Sequence, residues 1–114
     1  MQIVRKNQIR TLSPVHGTVI HEYDTHDGFV SGGVAEIKGR YPLAGYCVNR
    51  KIKELVYVVA GSGLLIQPSG TTEFATGDVL FIDHGELFAW EGDMELFMAT
   101  TPTFDPAQHE EVAG

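Results

Sequence analysis

The chain has 114 residues, enough for one modest core and no second independently packed layer. Its formal charge of −7, from 15 acidic against 8 basic residues, excludes a nucleic-acid surface, which needs clustered Lys and Arg. With one cysteine, Cys47, neither an intrachain disulfide nor a multi-cysteine metal cage can form.

The opening Met1-Gln2-Ile3-Val4-Arg5-Lys6 lacks the apolar stretch of a signal peptide, and Gln2-Ile3-Val4 has the composition of an edge strand. The longest apolar run, Leu55 to Ala60, is too short to cross a bilayer, so a cytoplasmic protein without membrane partners is expected. The 13 glycines, against about eight at average usage, indicate many tight turns. Turn signals recur at Asp27-Gly28, Ser31-Gly32-Gly33, Gly61-Ser62-Gly63, Pro68-Ser69-Gly70, Gly77-Asp78, His84-Gly85 and Gly92-Asp93, separating short runs rich in Val, Ile, Leu, Phe and Tyr. Strands are predicted over Gly17–Tyr23, Gly33–Lys38, Tyr46–Asn49, Glu54–Ala60, Leu64–Gln67, Thr72–Ala75, Val79–Ile82, Leu87–Glu91 and Glu95–Thr100. Gly61-Ser62-Gly63 reads as a hairpin turn, since no lysine or helix follows to make it a phosphate loop.

Alternation places Phe88 and Trp90 on one strand face, and Cys47 and Asn49 on the face opposite Val48 and Arg50. Which of the latter two pairs looks inward is left open by spacing. In the tail, Asp105 as cap, Pro106 at the first position and Gln108 completing a capping box predict a short helix; a frayed acidic terminus is the alternative.

Two segments carry a family resemblance. Glu54-Leu55-Val56-Tyr57-Val58-Val59-Ala60-Gly61 and Gly77-Asp78 with Gly85 resemble the two signature motifs of the cupins, small β-barrels that bind metals, sugars and carboxylates. The family's first two histidine positions fall on Val48 and Arg50 for the shorter spacing, or on Cys47 and Asn49 for the longer, and Phe88 replaces the third histidine. The resemblance implies an all-β jelly-roll barrel, related in fold to sugar epimerases, with a short C-terminal helical tail. It implies one domain with its barrel over about 33–102 and N-terminal strands within 1–32 that contact a second copy in a homodimer. No metal or other cofactor is favoured, because all three ligand positions lack histidine.

Glu54 is the best candidate for chemistry: a carboxylate inside an apolar barrel must bind metal, pair with a cation, or take a raised pKa and work as acid or base. Arg50 is the nearby cation, and an Arg50–Glu54 pair would replace the metal's charge on the shorter spacing. His84, in the turn before Gly85, titrates in the range suited to proton transfer. Asn49, Tyr46, Cys47, Phe88 and Trp90 complete a candidate pocket for a small polar or anionic ligand, with isomerisation or epimerisation beside a carbonyl as the chemistry. Two rivals are a metal-dependent oxygenase or isomerase with relocated ligands, such as Glu54, His84 and His21, and a non-catalytic sensing or accessory domain.

Overall fold

Apolar and polar residues alternate between glycine-bearing turns, and the chain forms nine strands in the computed structural model, which describes residues 1–114. These are β1 (Arg10–Leu12), β2 (Thr18–Tyr23), β3 (Ser31–Tyr41), β4 (Tyr46–Asn49), β5 (Lys53–Gln67), β6 (Gly70–Ala75), β7 (Val79–Ile82), β8 (Leu87–Thr101) and β9 (His109–Val112). The path β1-β2-β3-β8-β4-β9 is one curled antiparallel sheet, and β5 lies beside β8 while carrying β6 and β7 on its other edge.

Three local expectations are corrected. Gly61-Ser62-Gly63 is not a hairpin turn: β5 runs through it, as β8 runs through Gly92-Asp93, because the two long strands pair with each other along most of their length. Their backbones approach closely there. Gly61 sits at φ +91°, where an added Cβ would collide with the Asp93 carbonyl, and Gly92 at φ +146° faces Ser62 in the same close approach. The C-terminal helix is a single 3-10 turn, Pro106–Gln108, capped by the Asp105 carboxylate accepting from the Ala107 N–H at 3.0 Å. Capping chemistry starts the turn, but the open edge of β4 then captures the backbone as β9, with Asn49 opposite His109 and Tyr46 opposite Val112. Finally, Gln2-Ile3-Val4 forms no strand; the first strand, β1, pairs with β2.

Twelve buried apolar side chains form one core. At one end of the barrel Phe74, Leu65 and Met94 close over Trp90, whose ring meets Phe74 edge-on at 5.6 Å between centroids and Phe88 at 6.2 Å. The inward positions toward the other end leave a cavity of about 480 Å³.

Candidate functional site

The cavity is walled by β1, β2 and β3 on one side, by Cys47 and Glu54 on the other, and by Thr103, Phe104, Pro106 and His109 of the C-terminal segment. That segment is tied down across the opening. Thr103 donates its hydroxyl to the Asp27 carbonyl, and the Phe104 N–H donates to Ser31 Oγ at 3.0 Å.

Strand β4 is buried on both faces, and the cavity decides between them: Cys47 lines it and Asn49 bonds Glu54 in its wall, whereas Val48 and Arg50 take no part in that wall. β5 places Glu54, 7% exposed, on the same interior between Ile82 of β7 and Thr100 of β8. Asn49 Nδ2 donates to Glu54 Oε1 at 3.0 Å. Asn49 Oδ1 accepts from two neighbours at once, Gln108 Nε2 at 3.0 Å and His109 Nδ1 at 2.8 Å. Gln108 in turn is fixed by the backbone, its Oε1 accepting the N–H groups of Lys51 at 3.2 Å and Ile52 at 3.4 Å.

This network determines the protons. An amide oxygen only accepts, so His109 carries its proton on Nδ1 and leaves Nε2 as the bare nitrogen, with the Tyr41 hydroxyl 3.4 Å away. Glu54 Oε1 likewise acts as acceptor, so a proton on this carboxyl resides on Oε2, which has no side-chain partner. Burial, with no cation opposite and only the Asn49 bond to offset it, pushes the Glu54 carboxyl up to about 7. His109 is shifted down, chiefly by burial, with Glu111 opposing, and is neutral near pH 7. Burial raises the Cys47 thiol to about 12 and raises the Tyr41 hydroxyl too, so both stay protonated.

Several sequence-derived candidates lie elsewhere. The Arg50–Glu54 ion pair is not formed: Arg50 follows the end of β4, points outward, and binds Glu110 through Nε at 3.1 Å and a terminal nitrogen at 2.9 Å. Its exposed position lets water solvate the charge that the interior would not. His84 sits in an exposed turn bonded to Asp83 at 2.9 Å, outside the cavity wall. Tyr46 is half-buried and not part of the wall, whereas Phe88 and Trp90 are. His21 binds Glu36 at 2.7 Å on the outer face, so Glu54, His84 and His21 do not converge. Conversely, Tyr41, Gln108 and His109 join the site without having been selected, because a pairing 60 residues apart in sequence brings His109 to Asn49.

On the inward-facing register the family's three histidine positions correspond to Cys47, Asn49 and Phe88, beside the motif glutamate Glu54. The three do not make a metal site: the Asn49 amide is committed on both sides, and the Phe88 ring offers no donor. No three His, Cys, Asp or Glu side chains form a group able to hold a metal ion.

No protein-family profile matches the sequence, and no curated protein matches it significantly. Solved structures do. The nucleoside dehydratase Pac13 superposes with a TM-score of 0.88 at 16% identity, covering 99% of this chain and 92% of that one, and Streptomyces variants of it with uridine align as well. An RmlC-like cupin from Shewanella frigidimarina aligns at a TM-score of 0.72 and 14% identity, over 90% of this chain and 92% of the other. The polyketide cyclase RemF from Streptomyces resistomycificus gives 0.71 at 21% identity, over 98% and 85%. At these identities the likeness is one of fold, and together with the strand order it makes this chain a cupin-type β-barrel.

Proposed function

We propose that the chain is an acid–base enzyme that moves a proton beside a carbonyl in a small, neutral, polyhydroxylated molecule of the nucleoside or sugar class. One observation carries the reading: a single buried amide, Asn49, holds Glu54 and His109 at the wall of one cavity, with an unpartnered Oε2 on the glutamate and an unprotonated Nε2 on the histidine. His109 Nε2 is suited to take the proton from the carbon next to the carbonyl. Glu54, protonated on Oε2, is suited to deliver one to oxygen. Delivery to the carbonyl oxygen gives an enediol and isomerisation; delivery to a hydroxyl on the next carbon breaks its C–O bond, forms a C=C bond and releases water. In the dehydration His109 gains a proton and Glu54 loses one, and exchange with solvent restores both; in the isomerisation the enediol returns a hydroxyl proton to Glu54 and takes the His109 proton on its other carbon, which restores both.

Charge at the cavity favours a neutral substrate over the anionic one expected from Arg50. Glu22 and Asp24, joined by Glu54 whenever it ionises, contribute to the wall against Arg10 alone, so a phosphate or carboxylate meets net repulsion. Phe88, Trp90 and Phe104 offer apolar ring surface, and the Ser31 and Thr100 hydroxyls, 2.7 Å apart, offer hydrogen-bonding partners for a sugar. Uridine complexes of a nucleoside dehydratase on this same fold support the ligand class. The test is NMR in D₂O with a panel of nucleosides and sugars bearing an aldehyde or ketone. Deuterium exchange or water loss that vanishes in Glu54→Gln and His109→Phe is the expected result. If no neutral member of the panel binds or exchanges while phosphorylated analogues bind, the proposal fails.

A further inference from the structure

We propose that Gln108 is a positioning residue that fixes which cavity group is acid and which is base; this rests on the acid–base reading above. The reasoning starts from the backbone. Peptide N–H groups donate and cannot reverse, and those of Lys51 and Ile52 both point at Gln108 Oε1. Turning this amide over would set its NH₂ against two donors, so its Nε2 faces Asn49 and donates. Asn49 is locked in turn, because a flipped side chain would set NH₂ against NH₂. Three of the four residues of the lock are secluded, Asn49 at 2%, Gln108 at 5% and Ile52 at 1% exposed; Lys51 contributes its backbone N–H from an exposed position. Water has little access to compensate a wrong orientation, so the orientation is decided by protein partners alone.

Without Gln108 a second arrangement becomes available. Asn49 flips, its Oδ1 accepts a hydrogen bond from Glu54 Oε1–H, and its Nδ2 donates to a bare His109 Nδ1, whose proton now sits on Nε2. The proton count is unchanged, but His109 then presents a donor to the cavity and Glu54 an acceptor. Gln108 thus selects one of two polarities that Asn49, Glu54 and His109 could otherwise both adopt.

The experiment is ¹⁵N NMR of the His109 ring, which distinguishes the two tautomers and needs no substrate. The wild-type protein is expected to hold the Nδ1–H form in about tenfold excess, the bias one net hydrogen bond supplies. Gln108→Glu keeps the acceptor for the Lys51 and Ile52 N–H groups but replaces the NH₂ with an oxygen, which draws the Asn49 NH₂ toward it; His109 is then expected as Nε2–H. Should that variant not fold, Gln108→Met removes the lock alone and is expected to give a mixture. An Nε2–H tautomer in the wild type, or an unchanged Nδ1–H population in whichever variant folds, overturns the proposal. The expected tautomers with no turnover of any neutral nucleoside or sugar would leave the lock standing and remove only the functional reading.

A separate observation points to a partner. On the outer face of the barrel, strand register sets Phe81 beside Leu55 and Val79 beside Tyr57, with Tyr57 beside Phe97 on its other side, and Val59 follows on the same face of β5. These six are between 42% and 59% exposed. At roughly half of about 200 Å² each they present about 600 Å² of apolar surface, or about 1,200 Å² between two copies, which reaches the lower bound of a stable interface. We infer that a second copy of this chain covers this sheet face. Sedimentation equilibrium of the wild type is expected to give twice the monomer mass. Tyr57→Lys with Phe81→Lys is expected to give the monomer with an unchanged circular dichroism spectrum. A wild type that stays monomeric up to about 100 μM, far above the micromolar range of a weak specific dimer, or a dimer that survives the double substitution, contradicts it.

Discussion

The two ends of the barrel are built from the same long strands and do opposite things. On β5 the inward positions begin with Glu54 and end with Leu65; on β8 they begin with Phe88 and Trp90, pass through Met94 and Leu96, and end at Thr100. The plugged end, around Phe74, Leu65 and Met94, is held by shape: buried apolar side chains, with Phe74 edge-on to Trp90. The open end is held by direction: Gln108, Asn49, Glu54 and His109 form a chain in which each donor faces an acceptor. On the proposed reading, the first region contributes mainly packing and the second the groups for chemistry.

The sharpest way to break this division is Phe74→Ala. The plugged end would lose a buried ring and its contact with Trp90, with an expected cost of about 3–5 kcal/mol in chemical denaturation. The Glu54 titration should stay in place in the protein that remains folded. A variant that melted like the wild type would show that the plug is not the stabilising region.

Glu54→Gln probes the open end through pH. The folded carboxyl, near 7, lies above its unfolded value, so its contribution is fully present below about pH 4.5 and is lost as pH rises through 7. Between those limits the wild type is expected to lose roughly 3 kcal/mol of stability relative to Glu54→Gln, whose amide does not ionise. Denaturant midpoints at pH 5 and pH 8 measure the difference. Parallel behaviour of the two proteins would mean that Glu54 is solvated or paired in solution.

These two regions were not equally legible in the sequence. Strand alternation and turn glycines placed Tyr46–Asn49 and Val79–Ile82 at their observed bounds, because local pleat and burial decide those elements. The glutamate of the first motif also pointed to the interior, where Glu54 lies. What escaped was long-range. Gly61-Ser62-Gly63 has turn composition, yet the facing Gly92 lets two strands cross there without a break. Gln108 and His109 carry no local sign of a site, since their roles arise from β9 docking on β4, and the same docking directs Arg50 outward to Glu110.

The smallest expected effect is accordingly at Arg50. Its pair with Glu110 is half exposed on both sides, so Arg50→Ala should cost no more than about 1 kcal/mol and leave the cavity groups unchanged. A larger loss by denaturant titration would restore Arg50 to the interior network.

The central claim is that the open end keeps a carboxyl poised to give or take a proton at neutral pH. Titration of the Glu54 side-chain carboxyl by ¹³C NMR tests it most directly. A midpoint near 7, with His109 neutral over the same range, is the predicted result; a midpoint in the ordinary carboxylate range near 4.5 would contradict it.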